Sequence, residues 1–319
     1  MRCCIFGGSG FIGAWVTRLL AAQGREVVVI GRSPAPGRPI PAKAKYVSGT
    51  YADKAFLRRV LAGSDEVIDL VYSTHPQTSF ADPLHDITDN LPPTVSLLQV
   101  AAEIAVKKLV LVSSGGTVYG LAGAIPVTEE HPTHPISPYG ITKLAVEKYG
   151  LMFNHVYGLP VVIARPGNAY GEGQRPSTGQ GFVAEAIART LEDQVISLFG
   201  DQGTVRDYIH VADIASGIVA ALEHGVDGHC YNIGTGTGRT NLEVLNSLAP
   251  LARSAGREIR LKVLPPRKFD VPQNVLDSNK LVRATGWHPQ IDFREGLERA
   301  WTAALRGRNA PTTPADGQT

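Results

Sequence analysis

The sequence is short of charge, of cysteine and of long apolar runs, and each shortage excludes a class of protein. Of its 319 residues 19% are charged, and 31 Lys and Arg nearly balance 29 Asp and Glu. The usual charged share is about 25%. A formal net charge of +2 gives no basic surface for nucleic acid, so we expect no nucleic-acid partner. With 43% hydrophobic residues, the chain can bury a large core and is not disordered.

Apolar runs are too short for a membrane segment, because none approaches the roughly 18 residues that span a bilayer. Gly7 interrupts the apolar N-terminus before a signal peptide could form. The three cysteines, Cys3, Cys4 and Cys230, are odd in number and two are adjacent. This usage favours reduced thiols and a cytoplasmic protein over a disulfide framework. The nine histidines show no metal-ligand spacing, so we expect no metal site.

Short apolar segments alternate with amphipathic ones along the first half of the chain. The apolar segments are rich in Val, Ile and Leu without polar alternation, which is typical of strands buried on both faces of a parallel sheet. We therefore predict a doubly wound α/β domain. The predicted strands are 3–6, 26–30, 45–47, 66–70, 108–112 and 161–164, and the predicted helices are 11–23, 53–61, 91–105 and 139–157.

The pattern changes after residue 165. Residues 166–181 hold five glycines and two prolines, which favours loops over a further strand and helix. Later elements at 195–199, 211–223, 230–233, 241–255 and 260–264 indicate a smaller, mixed α/β lobe. We predict a dinucleotide-binding domain of 1–165 with part of 204–233, a substrate lobe of 166–203 and 234–306, and a disordered tail over 307–319.

Glycines follow the first predicted strand and open the first predicted helix. Gly7 permits a tight turn, Gly10 allows a pyrophosphate to approach the backbone, and Gly13 allows close packing of helix on strand. The helix N-terminus, with Phe11 and Ile12, supplies amide donors and a positive dipole end. This spacing in this context predicts a dinucleotide site. A purely structural glycine turn is the alternative.

The end of the second strand bears on which dinucleotide is bound. An acidic residue there would hydrogen-bond the ribose of NAD, but the sequence has Gly31, Arg32 and Ser33. Arg32 and Ser33 could hold a 2′-phosphate, which favours NADP. Alternatively, Arg32 stacks on the adenine of NAD. The expected cofactor is therefore NAD or NADP.

Tyr139 and Lys143 lie four residues apart near the start of a predicted helix, so both project from one face. A nearby ammonium stabilises phenolate and should lower the pKa of Tyr139. The phenol then serves as general base toward a sugar hydroxyl and as general acid toward a ketone. Ser114 and Thr117 follow the predicted strand 108–112, and their hydroxyls can donate to a forming oxyanion at the same sheet edge.

Together these residues resemble the extended short-chain dehydrogenase/reductase superfamily, specifically its nucleotide-sugar epimerase/dehydratase branch. The resemblance reaches about Trp301 and includes Asn90 and the segments 165–171, 199–201, 205–213, 231–234, 266–267 and 277–280. It implies a UDP-glucose or UDP-N-acetylglucosamine 4-epimerase activity. In that chemistry the cofactor takes hydride from the sugar C4, the ketone turns over in the site, and hydride returns to its other face.

The resemblance also implies roles for individual residues. Arg206 and Arg267 would clamp the diphosphate of the nucleotide sugar, and Phe199 would flank its base. The alternative for Arg206 is a surface ion pair with Asp207. Asn168 and residues 180–183, including Phe182, would border the sugar and phosphates, and Pro166 the cofactor. His210 is expected to cap a helix. A homodimer through helices 91–105 and 139–157 is expected.

Departures from the family pattern narrow the chemistry. The acid pair of the 4,6-dehydratases is replaced by Gly116 and Thr117, which cannot shuttle a proton at neutral pH. Gly115, just before them, stands where the family usually has a Ser. Thr50 stands where the family has an Asp that holds adenine, and we expect Thr50 and the next residue, Tyr51, to bind the cofactor. Thr74 stands where the family often has a Lys after the fourth strand.

Asn274 stands where a Tyr excludes N-acetylated sugars in some members, so we expect N-acetylhexosamines to fit. Two alternatives to the epimerase stay open. One is an NADPH-dependent nucleotide-sugar 4-ketoreductase that uses the same Tyr139 and Lys143. The other is a non-catalytic dinucleotide sensor, which intact catalytic residues disfavour.

Overall fold

The computed structural model describes residues 1–176, 181–267 and 270–309. Its strands are β1 (Arg2–Phe6), β2 (Glu26–Gly31), β3 (Lys45–Ser48), β4 (Glu66–Asp69), β5 (Lys108–Val112), β6 (Val161–Pro166), β7 (Asn168–Tyr170), β8 (Val195–Phe199), β9 (Val205–His210), β10 (Cys230–Ile233), β11 (Gly238–Thr240), β12 (Arg260–Leu264) and β13 (Gln273–Asn274). Its helices are α1 (Phe11–Ala22), α2 (Lys54–Leu61), α3 (Pro76–Ala81), α4 (Pro83–Glu103), α5 (Pro138–Tyr157), α6 (Phe182–Leu191), α7 (Val211–His224), α8 (Asn241–Ser254), α9 (Asn279–Thr285) and α10 (Phe293–Asn309).

Seven parallel strands form the central sheet, in the order β10-β6-β5-β4-β1-β2-β3. The first strand pairs with β2 on one side and β4 on the other, so that Cys4 lies beside both Val28 and Val67. The direction of strand addition therefore reverses next to β1, which opens a crevice at the carboxyl ends of the strands. The predicted doubly wound α/β fold is confirmed.

Alternate side chains of each strand enter cores on opposite faces of this sheet. Cys3 and Ile5 pack in a cluster with residues of α1 and α7. Cys4 and Phe6 pack in a second cluster with residues of α2, α4 and α5. Burial raises the pKa of both cysteine thiols, and both are free. Burial on both faces explains why the strands read as continuous apolar runs.

Two smaller sheets complete the fold. Strand β9 pairs antiparallel with β11 and parallel with β7 and β13, and β8 pairs parallel with β12. Helices α6, α8 and α10 enclose a separate apolar cluster that includes Val183, Leu248 and Leu297. We call α6, β8, α8, β12 and α10 the small lobe. No helix within the described ranges is long and apolar enough to cross a membrane.

Several boundaries differ from the sequence prediction. The helix predicted over 91–105 begins at Pro83, because Pro92 and Pro93 lie inside α4 rather than in its first turn. Helix α3 and the short strand β7 were not predicted, since prolines and glycines in these segments favour loops. Helix α10 extends to Asn309 and so covers the first three residues of the predicted tail. The remainder of that tail lies outside the described residues.

Candidate active site

A cleft of about 930 Å³ lies at the carboxyl ends of β1, β4, β5 and β6, with the small lobe on its other side. Ligands of open parallel sheets bind at this edge. The structure brings most of the predicted site residues to its walls. They are Gly7, Gly10, Phe11, Ile12, Gly13, Ser114, Thr117, Tyr139, Lys143, Pro166, Asn168, Phe182, Phe199, Arg206 and Arg267.

The glycine turn joins β1 to α1 at one end of the cleft. Gly7 has a φ of +76°, which favours glycine, and its amide donates to Ile30 O at 2.9 Å. A Cβ on Gly13 would lie 2.1 Å from Gly7 O, so only glycine allows α1 to pack on the turn. Ala14 N donates to Gly10 O as the first intrahelical bond. The amides of residues 11–13, which line the cleft, therefore have no intrahelical acceptor.

The residues predicted for the adenosine end are not brought into the cleft. Arg32 and Ser33 are exposed, and their carbonyl oxygens accept from Ser48 Oγ at 3.3 Å and Tyr46 Oη at 2.7 Å. A Cβ on Gly31 would lie 2.4 Å from the Tyr46 hydroxyl oxygen. Tyr46 thus occupies the space that an acidic side chain at position 31 would need, a constraint that no local sequence pattern reveals.

Thr50 and Tyr51 also lie outside the cleft walls. Thr50 is exposed, and its Oγ1 accepts from Ala52 N at 3.4 Å. Tyr51 is buried, with its ring centre 5.6 Å from that of Phe6. Burial, with a further contribution from Asp69, raises the pKa of Tyr51. The predicted roles of these two residues in cofactor binding stay predictions.

Helix α5 carries Tyr139 and Lys143 to the centre of the cleft. Ser137 caps the helix by accepting from Gly140 N at 3.1 Å, and Pro138 occupies its first turn. Tyr139 N donates to Ser79 Oγ at 3.1 Å. Lys143 Nζ donates to Val112 O at 2.9 Å, which ties the helix to the carboxyl end of β5. Both side chains are buried while still lining the cleft.

The electrostatics of this pair correct one prediction. Burial raises the pKa of Tyr139, the negative charge of Asp86 raises it further, and hydrogen bonding by Ser114 lowers it. The predicted decrease is therefore not found, because burial dominates the shift, while the Lys143 ammonium lies 5.9 Å from the centre of the Tyr139 ring. Burial lowers the pKa of Lys143 to about 8, against a raising effect led by Asp69.

Two hydroxyls face the phenol from the segment after β5. Ser114 and Thr117 line the cleft, and Thr117 N donates to Ser114 O at 3.3 Å. Thr117 Oγ1 is buried and has no hydrogen-bond partner in the described part of the chain. A Cβ on Gly115 would lie 2.5 Å from Leu276 Cδ1 and 2.9 Å from Arg165 O, so packing explains why this position is glycine.

The far end of the cleft carries two predicted arginines. Arg206 donates through Nη1 to Val205 O at 2.8 Å, and burial lowers its pKa. Arg267 stacks on Phe199, with Cζ 4.1 Å from the ring centre, and forms a bidentate pair with Asp270 at 2.8 and 3.1 Å. The ion pair considered for Arg206 is absent from the described structure. Asp207 instead accepts hydrogen bonds, including those from Thr235 N, Gly236 N and Leu276 N.

Asn274 does not reach the walls of this cleft. It is buried, and its Nδ2 donates to Gly115 O at 3.1 Å. Its Oδ1 has no hydrogen-bond partner among the described residues. Residue 180, which was predicted to border the sugar, lies outside the described residues.

Other cleft residues were missed from the sequence. Tyr72, Arg38 and Arg175 line the cleft, and none was predicted to. Tyr72 follows β4, so the rule that strand carboxyl ends carry ligand-binding residues could have found it.

The predicted cap by His210 is confirmed, since its Nδ1 accepts from Ala212 N at 3.2 Å at the start of α7.

The fold, the glycine turn and the Tyr139–Lys143 pair define an extended short-chain dehydrogenase/reductase. Comparison with known proteins narrows this class. Residues 3–234 match the model of the NAD dependent epimerase/dehydratase family. The chain is 31% identical over 306 residues to the UDP-glucose 4-epimerase of Mycolicibacterium smegmatis, covering 94% of this chain and 97% of that one.

Solved structures agree with this match. The chain is similar to the UDP-glucose 4-epimerase of Thermotoga maritima with UDP-glucose, with a TM-score of 0.90 and 31% identity over 97% of this chain and 100% of that one. It is also similar to the Thermus thermophilus UDP-glucose 4-epimerase in complex with NAD, with a TM-score of 0.88 and 34% identity over 96% and 99%. The protein belongs to the NAD-dependent epimerase/dehydratase family.

The residues of this cleft fit the nicotinamide dinucleotide that the family name implies. Gly7, Gly10 and Gly13 line the cleft, and the amides of residues 11–13 at the start of α1 precede the first intrahelical bond, as a pyrophosphate site requires. Thr117 lines the same cleft, and its buried hydroxyl has no hydrogen-bond partner among the described residues. No group of three or more His, Cys, Asp or Glu residues that could hold a metal ion occurs in the described ranges.

Proposed function

We propose that the protein is a nucleotide-sugar 4-epimerase acting on a UDP-hexose or UDP-N-acetylhexosamine. The observation that carries the proposal is one cleft with the glycine turn at one end, Arg206 and Arg267 at the other, and Tyr139 between them. A molecule with a diphosphate and a sugar can then place its sugar beside the phenol. The epimerases similar to this chain support the reaction type.

The proposed mechanism centres on Tyr139. A bound nicotinamide would accept hydride from the sugar C4 and return it. The phenolate oxygen of Tyr139 removes the proton of the C4 hydroxyl and later gives it back to the ketone oxygen. Ser114 stabilises the phenolate by hydrogen bonding, which opposes the effect of burial on its pKa. Thr117 Oγ1 donates to the same sugar oxygen.

The two arginines hold the nucleotide end while the sugar turns over. Arg206 and Arg267 bind the diphosphate with charge-assisted hydrogen bonds. The Phe199 ring, already stacked on Arg267, flanks the base. A substrate fixed by its diphosphate keeps its ketone intermediate in the cleft, so either face of C4 can receive the hydride.

The residues at positions 116 and 117 favour a reaction confined to C4. Gly116 and Thr117 carry no proton-transferring side chain, which disfavours dehydration at C5 and C6. Asn274 is compact and is buried against Gly115, so it does not narrow the cleft. We therefore propose that N-acetylated sugars are accepted. Turnover of UDP-glucose with none of UDP-N-acetylglucosamine would refute this part of the proposal.

The cofactor is proposed to be NAD, with NADP accepted through Arg32 and Ser33. The family description and the Thermus thermophilus complex support NAD. The exposed position of Arg32 leaves its side chain available to a 2′-phosphate at the surface. Release of the bound nucleotide from the purified protein, followed by mass spectrometry, tests the proposal. Recovery of NAD alone would remove the NADP part.

We also propose a homodimer through α4 and α5. These helices expose apolar side chains that a soluble monomer rarely groups together. They include Leu84 and Ile87 on α4 and Ile141, Tyr149, Met152 and Val156 on α5. Such a contact would pair the two helices of one protomer with those of its partner.

The decisive experiment incubates the protein with UDP-glucose, UDP-galactose and UDP-N-acetylglucosamine, without added cofactor, and follows the sugars by NMR. Epimerisation at C4 supports the proposal, since a retained cofactor is regenerated in each cycle. A requirement for stoichiometric NADPH and a 4-keto substrate would establish the ketoreductase instead. Binding of a dinucleotide without any sugar turnover would establish the sensor.

A further inference from the structure

Two loops from different parts of the fold meet over the glycine turn. The loop after β2 contains Gly37 and Arg38, and the loop after β7 contains Gly173 and Arg175. Arg38 Nη2 donates to Gly173 O at 2.6 Å, and Arg175 Nη2 donates to Gly37 O at 3.5 Å. The contacts are reciprocal, so each arginine crosses to the loop that carries the other.

This pair lies at the N-terminus of α1. Gly37 N donates to Ser9 Oγ at 3.3 Å, which fixes the first loop against the glycine turn. The Arg38 guanidinium lies 6.0 Å from the ring centre of Phe11, the first residue of α1. Both Arg38 and Arg175 line the cleft. The two guanidiniums and the free amides of α1 therefore face the same end of the cleft.

The charges at this end are not balanced by the protein. Neither Arg38 nor Arg175 forms a salt bridge in the ranges that the structure describes, and α1 has no acidic residue in its first turn. Partial burial lowers the pKa of Arg38, and the positive charges of Arg175 and Arg18 lower it further. An anion bound here would offset this repulsion. It would also accept hydrogen bonds from the guanidinium N–H groups of Arg38 and Arg175 that do not donate to the carbonyl oxygens of Gly173 and Gly37.

We infer that Arg38 and Arg175 form an anion site for the pyrophosphate of the dinucleotide and close over it from two loops. The inference rests on the proposed function, because it takes the dinucleotide as the ligand of this cleft. On this inference, the loops that carry Arg38 and Arg175 supply the electrostatic part of the binding energy for the cofactor. The chain has no carboxylate at Gly31, and Thr50 stands where relatives carry an adenine-binding Asp. Retention of the cofactor then depends on contacts with its phosphates rather than with its adenosine.

The test measures binding rather than activity. Protein freed of co-purified nucleotide is titrated with NAD and, separately, with NADP by calorimetry, at low and high salt. We expect Arg38→Gln and Arg175→Gln each to weaken both nucleotides by about tenfold to a hundredfold, since each removes charge-assisted hydrogen bonds. Arg38→Lys should recover part of the loss, and the salt dependence of binding should decrease in the Gln variants.

Arg59→Gln is the matched control, because Arg59 is an exposed arginine that stacks on Phe56 at 5.3 Å away from the cleft. Unchanged binding by the Arg38 and Arg175 variants would overturn the inference while the proposed function stands. A loss confined to NADP would also overturn it, since the arginines would then meet the 2′-phosphate. If the unaltered protein binds neither nucleotide, the proposed function itself fails.

Discussion

The ammonium of Lys143 lies closer to Tyr72 than to Tyr139. Its Nζ is 4.0 Å from the centre of the Tyr72 ring and 5.9 Å from that of Tyr139. The two rings meet edge to face with their centres 4.8 Å apart. The ammonium therefore lies over the face of Tyr72, whose ring in turn packs edge to face against Tyr139. The lysine is stabilised by this ring face and by its hydrogen bond to Val112 O.

This arrangement predicts that Tyr72 sets the pH range in which Lys143 is charged. Tyr72→Leu removes the ring face, so the pKa of Lys143 should fall below its value of about 8. Cation–π contacts of this kind contribute about 0.5 to 2 kcal/mol, which corresponds to a decrease in the pKa of about 0.4 to 1.5 units. The measurement is the pH dependence of kcat for C4 epimerisation, whose decline on the alkaline side should move to lower pH.

Tyr72→Phe is the control for this prediction. It keeps the ring and removes the hydroxyl, so its alkaline limb should stay where that of the unaltered enzyme lies. A Leu variant with an unshifted alkaline limb would show that the ring does not stabilise the ammonium.

Asp69 is predicted to make stability depend on pH. Burial raises the pKa of this carboxyl to about 6, and Lys143 and a hydrogen bond from Val71 N oppose the effect. Because the folded pKa is above the usual value of about 3.9, the folded state binds more protons than the unfolded chain between about pH 4 and pH 6. The free energy of unfolding should therefore fall as pH rises through this window.

Asp69→Asn removes this contribution, since an amide does not titrate. The difference between the variant and the unaltered protein is measured by urea unfolding at closely spaced pH values. The variant should gain stability relative to the unaltered protein between pH 4 and pH 6. Parallel curves over that window would contradict the raised pKa. Glu258→Gln, at an exposed position, should give such parallel curves.

Tyr139→Phe is predicted to stop epimerisation and leave the fold intact. The variant keeps the buried ring but loses the oxygen that exchanges a proton with the sugar hydroxyl. General acid–base groups contribute roughly a hundredfold to ten-thousandfold to a rate, so kcat should fall by at least about a hundredfold while nucleotide binding persists. Tyr157→Phe, at an exposed position on the same helix, is the control and should keep full activity. Undiminished sugar turnover by Tyr139→Phe would disprove the mechanism.

How much of this could be predicted from the sequence depends on whether a signal is local. The glycine turn and the Tyr139–Lys143 spacing are local patterns, and both appear where the parallel-sheet rule places them. The electrostatics were harder to predict. The pKa of Tyr139 moves in the opposite direction to the prediction, because burial dominates the shift, and the depth of burial depends on how α5 packs against the rest of the fold.

Long-range contacts account for the remaining misses. Gly31 appears from the sequence to be a simple loss of a carboxylate, yet a Cβ there would lie 2.4 Å from the Tyr46 hydroxyl of the neighbouring strand, so a side chain at this position would displace Tyr46. Arg38 and Arg175 are separated by more than a hundred residues, and neither has a motif of its own. Only the fold brings them to one place. The residues that sequence reasoning missed are therefore those whose role depends on a partner from a different segment.

A buried ion pair beneath the cleft is predicted to be important for stability. Arg165 on β6 forms a bidentate pair with Glu147 on α5, at 3.0 and 2.6 Å, and also donates to Tyr119 Oη at 2.9 Å. Glu147→Gln leaves the guanidinium buried without its counter-charge, which should cost about 3 to 5 kcal/mol. Urea unfolding measures the loss.

Glu103→Gln is the matched control for that measurement. It breaks a bidentate pair with Arg58 of similar geometry on the exposed surface, where solvent screens the charges. Its effect on the free energy of unfolding should be small by comparison. Equal losses in the two variants would mean that burial does not decide the strength of these pairs.

The exposed apolar side chains of α5 predict the assembly of the protein. Val156 is 60% exposed, and Met152 and Tyr149 lie one and two turns before it on the same helix. Val156→Glu should convert a dimer into a monomer, since a carboxylate at a helix contact is desolvated without a partner. Light scattering after size-exclusion chromatography gives the mass. Val226→Glu, at a similarly exposed valine after α7, should leave the mass unchanged. If the unaltered protein is already monomeric at micromolar concentration, this face serves another purpose; if both variants stay dimeric, the contact lies elsewhere.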